Sequence, residues 1–144
     1  MSGGGKGRQD RRQGRHRAVR YLFAADIKRF EDDGRLSLSD DAMIGAQAQE
    51  FAEQLLAGVL QERQAIDAAV NDRLKNWTVL RMAVVDRSLL RLGAYELLYS
   101  TGTPPKVVIN EYIELGKQLG SEPKTPGLIN AVLDRIAKDF PRQK

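Results

Sequence analysis

From Leu80 to Tyr99 the apolar residues Leu80, Val84, Val85, Leu89, Leu90, Leu92, Ala94, Leu97 and Leu98 fall on nearly every side of a helix. A helix that is apolar all round is a buried one. This segment therefore reads as a central strut, and the rest of the chain has to cover it. No segment shows the strict alternation of a half-buried strand. The one β-branched run, Val107-Val108-Ile109, is short, lies close to a proline start and leads into helical spacing. The class is all-α.

The covering helices are legible in order. A first helix is predicted to start near Asp10, where Asp10-Arg11-Arg12-Gln13 has the form of a capping box, although Gly14 weakens its first turns. Val19, Leu22, Phe23, Ile27 and Phe30 continue it as one amphipathic helix, and Asp32-Asp33-Gly34 is its expected stop. Residues 34–43 read as a loop with a turn of helix after Ser39. Ile44, Ala48, Phe51, Leu55 and Val59 define a second helix; Ile66, Val70 and Leu74 define a short third one. Trp77 lies in the connection to the strut.

Beyond the strut, Gly102 is placed to stop it, and Thr103-Pro104 gives a cap and a first helical residue. Ile109, Tyr112, Ile113 and Leu119 share one face of the next helix, with Gly120 as its stop. Thr125-Pro126 repeats the cap-plus-proline signal ahead of Ile129, Val132, Leu133, Ile136 and Phe140. The polar residues on the strut, Asp86, Arg87, Arg91 and Glu96, are expected to pair with each other or with neighbouring helices, as buried polar groups must. Asn110 and Asn130 read as satisfying groups between helices.

The net charge of +4 conceals an asymmetry. Lys6, Arg8, Arg11, Arg12, Arg15, Arg17 and Arg20 face a single early anion, Asp10, whereas the rest of the chain is slightly acidic. Excess charge at one end speaks of partners rather than fold, and it points to a polyanion. Arginine predominates, and its planar fork suits phosphates and stacks on bases. The run is nearly all one sign and joins a core-packing helix, which favours an RNA-binding arm over a merely solvated face. Phe23 and Phe30 lie on the apolar stripe and read as core. By this reading residues 1–9 are a flexible Gly/Arg-rich tail, 10–140 a single helical RNA-binding domain, and 141–144 a C-terminal tail.

Chemistry is sparse. The chain has no cysteine, so disulfides, thiolate metal sites and cysteine nucleophiles are excluded. His16, the one histidine, sits among arginines and reads as a solvated helix residue; no metal site is expected. Glu111 and Glu114 stand three apart but have no partner motif, and are read as polar-face residues. No glycine-rich phosphate loop follows a strand. No cofactor and no catalytic residue are expected. No apolar run approaches the roughly 20 residues of a membrane span, and no apolar signal core is present, so the chain reads as cytoplasmic.

Three stretches together resemble the NusB family. They are Arg12-Gln13-Gly14-Arg15-His16-Arg17-Ala18-Val19-Arg20-Tyr21-Leu22-Phe23; Asp86-Arg87-Ser88-Leu89-Leu90-Arg91-Leu92-Gly93-Ala94-Tyr95-Glu96-Leu97-Leu98-Tyr99; and Pro104-Pro105-Lys106-Val107-Val108-Ile109-Asn110-Glu111, continuing through Glu114-Leu115-Gly116-Lys117 to Ile129-Asn130-Ala131-Val132-Leu133-Asp134. Leu55-Leu56-Ala57-Gly58-Val59 also fits. The resemblance spans nearly the whole chain. It implies a compact bundle of six or seven helices in two packed sub-bundles, no catalysis, and a role in transcription antitermination on ribosomal RNA operons.

The implied partners are NusE, a small-subunit ribosomal protein, the single-stranded boxA element of nascent RNA, and the RNA polymerase antitermination complex with other Nus factors. The implied RNA-contacting arm is Arg8, Arg11, Arg12, Arg15 and Arg17. A second RNA contact, an aromatic in the family, falls on Leu128, which packs on a base but cannot stack as a ring does. The stretch Pro123-Lys124-Thr125-Pro126-Gly127 is one residue longer than the family's usual form. The implied NusE-facing surface is Phe23, Ile27 and Asp86, which qualifies the core reading of Phe23. Some members of the family self-associate through that surface, so a homodimer is one state the resemblance allows. The rival reading is an RNA-binding or protein-interaction module related to the N-terminal domain of rRNA cytosine methyltransferases, without catalysis; the chain leaves no room for a Rossmann-like catalytic domain.

Overall fold

The segment that reads as a strut is the helix on which every other helix packs. The computed structural model describes residues 3–30 and 43–142. It places six α-helices in them: α1 (Gly3–Ile27), α2 (Ala46–Gln61), α3 (Arg63–Asn71), α4 (Val84–Tyr99), α5 (Pro105–Leu119) and α6 (Thr125–Asp139), with a single 3-10 turn at Val79–Arg81 before α4. No strand occurs among the described residues. Helices α1, α2 and α3 pack on one side of α4, and α5 and α6 on the other. Leu89, Leu90, Leu92 and Ala94 of α4 are fully buried between them.

The strut is shorter than its apolar run. Leu80 belongs to the 3-10 turn and is 73% exposed, because the chain turns into α4 only after Ala83. The start of α5 also shifts. Pro104 takes the cap position and Pro105 the first helical one, while Thr103 is buried and accepts a hydrogen bond from Arg15. The second proline moves the helix start forward, because the residue before a proline is driven to extended backbone, and Pro104 sits at ψ 147°. Gly120 ends α5 as expected.

The first helix differs at both ends. It begins at Gly3, so the described part of the expected tail, residues 3–9, is helical, and Asp10 lies inside the helix rather than capping it. Once α1 is nucleated by its packing on α2 and α4, each further turn needs little extra. At the other end α1 stops at Ile27, before the expected Asp32-Asp33-Gly34 stop, which lies outside the described residues. The stop is a Schellman arrangement: Phe30 N–H donates to Ala25 O and Arg29 N–H to Asp26 O, with Arg29 left-handed at φ 59°. The loop expected over 34–43, with its turn after Ser39, lies outside the described residues except at Met43. So do Met1, Ser2, Gln143 and Lys144. Arg142, within the expected C-terminal tail, is docked: it donates to the backbone carbonyls of Thr103 and Glu96.

Gly14, which weakens α1 by propensity, is required by packing. A Cβ there would stand 2.8 Å from Ala48 O and 2.9 Å from the Phe51 ring on α2. The close approach of α1 to α2 fixes how the arginine-rich turns are presented.

Candidate nucleic-acid interface

The seven early cations do not form one cluster. Helical spacing distributes them around α1, and packing then decides which remain available. Arg15 is inside, 2% exposed. Its Nε and Nη2 donate to the two carboxylate oxygens of Glu96 on α4 at 2.7 and 2.8 Å, and Nη2 also reaches Thr103 Oγ1 at 3.1 Å. The Tyr112 hydroxyl donates to the same Glu96 at 2.6 Å, and the Arg15 guanidinium lies over the Phe51 ring. Burial works against the charged form of Arg15, but the Glu96 hydrogen bonds and charge outweigh it and hold its pKa above the ordinary value. Arg15, expected in the RNA-contacting arm, therefore has its Nε and Nη2 donors turned to Glu96 and Thr103 in the core. Arg17 is buried too and donates to Gln49 on α2.

Arg8 and Arg12, one helical turn apart, are exposed and line one shallow hollow together with Gln9 and Gln13. Arg12 forks onto Glu111 of α5 at 3.1 and 3.0 Å while its own side chain remains 68% exposed. A guanidinium has five N–H donors, so others remain to meet a phosphate. Arg11, half-buried, lines a different hollow with Asp10 and Glu50.

The remaining candidates separate. Phe23 and Ile27 are 40% and 58% exposed, on the later turns of α1, so neither belongs to the core stripe. Phe30 does return to the core, beneath the guanidinium of Arg63 at 4.0 Å. Asp86 is not on the surface with Phe23 and Ile27. It is 5% exposed and accepts from the Ser121 N–H and from the hydroxyls of Ser121 and Thr125, pinning the turn before α6. Three donors from the turn between α5 and α6 converge on this carboxylate. Leu128 is half-buried on the floor of a separate cleft beside Asp86. Asp86 and Glu96 are ten residues apart on α4, about 15 Å, so Leu128 is not brought together with the arginines.

The other charges on the strut pair as expected. Arg91 bridges Asp26 of α1 and Asp67 of α3, and Arg87 forks onto Asp26. Asn110 and Asn130, expected between helices, are exposed. His16 is exposed, and no group of three or more His, Cys, Asp or Glu that could hold a metal occurs among the described residues. No described helix is long and apolar enough to cross a membrane. The role of Glu111 was not legible in the sequence, because its partner Arg12 is 99 residues away.

Comparison with known proteins agrees with this architecture. The profile of the NusB family matches residues 12–138. A transcription antitermination protein NusB from Geobacter sulfurreducens is 44% identical over 133 residues, covering 91% of this chain and 96% of its own length. Among solved structures, a NusB from T. maritima superposes with a TM-score of 0.78 at 34% identity, over 92% of this chain and 93% of that one. The antitermination factors NusB and NusE in complex with dsRNA give a TM-score of 0.80 at 27% identity, over 92% of this chain and 98% of that one.

Proposed function

The chain belongs to the NusB family, and on that premise we propose that it is an RNA-binding transcription antitermination factor. It acts by binding in the cytoplasm, without catalysis. It takes boxA-type single-stranded RNA together with NusE and supports processive transcription of ribosomal RNA operons within the RNA polymerase antitermination complex. The observation that carries this reading is the pairing of exposed Arg8 and Arg12 on one face of a helix anchored to the core by Arg15. Phosphates meet the exposed arginines; the buried one holds the helix that presents them. Exposed Phe23 and Ile27, on the same helix, offer NusE an apolar surface.

The test is the combined change Arg8→Ala, Arg11→Ala and Arg12→Ala, with RNA binding measured by gel-shift on a boxA-type strand in the presence of NusE at two salt concentrations. Affinity should fall sharply, and the slope of log affinity against log salt should become shallower by about 2, since each phosphate on a single strand contributes about 0.7. Helical content should be unchanged. Equal binding by the triple variant would remove the arm from the mechanism.

A further inference from the structure

A cleft of about 810 Å³ opens between the connection after α3, the start of α4 and the first turns of α6. Neither the exposed arginines Arg8 and Arg12 nor Phe23 and Ile27 line it. Its floor is aliphatic, from Leu74, Met82, Leu128 and Val132. Position 128 is where the resemblance expects an RNA-stacking ring, and here an aliphatic side chain lies half-buried in that floor. The cleft's one ring is Trp77, 49% exposed and without a ring-stacking or cation–π contact among the described residues. The Asn71 side chain accepts the Val79 N–H at 2.8 Å, two residues beyond the indole, so the segment carrying Trp77 is held in place.

The rim is positive. Lys75, Arg81 and Arg135 line it, exposed, and make no ion pair among the described residues. The cleft's two carboxylates do little to neutralise them. Asp86 is taken up by Ser121 and Thr125, and Glu122 stands 3.9 Å from Lys124. Apolar surface rimmed by polar side chains is the mark of a protein-binding groove. Tryptophan is enriched at the centre of such contacts because it brings a large, rigid apolar area.

We propose that this cleft seats an acidic amphipathic helix of a protein partner, its apolar side chains against the aliphatic floor and Trp77, its flanking carboxylates facing Lys75, Arg81 and Arg135. A helix docks in a groove through a stripe of apolar anchors at i, i+3, i+4 and i+7, and a floor of aliphatic side chains with a single indole complements that stripe. The rim chooses the charge: carboxylates beside the stripe meet the unpaired cations, whereas a basic helix would meet like charge. A nucleic-acid strand also answers cations, but single strands are held by aromatic platforms under successive bases, and this cleft offers one ring over an aliphatic floor. The proposal goes beyond the RNA-binding reading and does not depend on it. A chain that takes RNA on the arginine face of α1 and a partner helix at the start of α4 joins the two.

Because Trp77 is the sole tryptophan, its emission reports on this cleft alone. The full chain is titrated with a synthetic peptide carrying leucines at i, i+3, i+4 and i+7 of a helix and glutamates beside them. The same peptide with lysine for every glutamate, and a boxA-type single-stranded RNA, are titrated separately. The acidic peptide should shift the emission to the blue as the indole leaves water, and the other two should not. Anisotropy of the labelled acidic peptide should show about ten-fold weaker binding for Trp77→Ala. The combined change Lys75→Glu, Arg81→Glu and Arg135→Glu, all at exposed side chains, should weaken it at least as much with wild-type helical content, and it carries the test should Trp77→Ala misfold. The Arg8/Arg11/Arg12 alanine variant should bind the peptide as the wild type does. Emission unmoved by the acidic peptide, or moved equally by its lysine counterpart, would overturn the proposal. Emission moved by RNA alone would make the cleft part of the nucleic-acid surface and overturn it as well, leaving the RNA reading intact.

Discussion

Arg15 on α1 and Glu96 on α4 meet as a two-pronged ion pair, 2.7 and 2.8 Å long, with both side chains sealed from water. This contact ties the arginine-rich helix to the central strut and sets Arg15, like the buried Arg17, apart from Arg8 and Arg12, which face outward. Removing one partner leaves the other charge buried and unpaired. Arg15→Ala or Glu96→Ala should therefore lower stability by about 3–5 kcal/mol, read as a lower urea midpoint. Replacing both together, Arg15→Met with Glu96→Leu, should restore most of the loss. A double variant no more stable than the singles would mean that the pair does more than balance its own charges.

Glu111 competes for Arg12. The pair is largely exposed on the arginine side, and such surface pairs contribute about 0–1 kcal/mol. Glu111→Gln should free Arg12 for phosphate and remove a nearby negative charge, so RNA binding at low salt should tighten up to about five-fold with no change in thermal unfolding. Fluorescence anisotropy of labelled RNA checks this. Weaker binding would show instead that Glu111 orients Arg12 for the strand.

Phe23 and Ile27 are exposed on α1, so polar substitutions there should be tolerated by the fold. Phe23→Asp with Ile27→Asp should abolish co-purification with NusE and leave the melting temperature within a few degrees of wild type. Retained NusE binding would move the partner surface elsewhere.

Tyr112 makes stability sensitive to alkali. Burial first, then the adjacent Glu96 carboxylate, hold its phenol well above the ordinary value near 10. The unfolded chain releases that proton as pH passes about 10 and the folded chain keeps it. This contribution is thus fully present below about 10 and lost as pH rises further. Melts between pH 8 and 11 should show a steeper loss for the wild type than for Tyr112→Phe, although the variant should be less stable at neutral pH because Glu96 loses a donor. Parallel pH profiles would exclude Tyr112 as the source.

Local chemistry made much of this molecule readable in advance. The all-round apolarity of Leu89–Leu98, the glycine at 120 and the proline at 126 each report on their own few residues, and each landed in the expected kind of element. The positions of Leu80 and Gly3 did not, because a pattern of apolar residues locates a face of a helix better than it locates its ends.

The sequence by itself determined the helical class, the order of the helices, the family and the concentration of positive charge at one end, all properties of neighbouring residues. Only the tertiary structure decided which of those charges are available. Arg12 and Arg15 are three residues apart and chemically identical, yet α4 and α5 place one in water and the other against Glu96 in the core. Burial is set by what a distant segment puts opposite a side chain, and one strand of sequence carries no record of that.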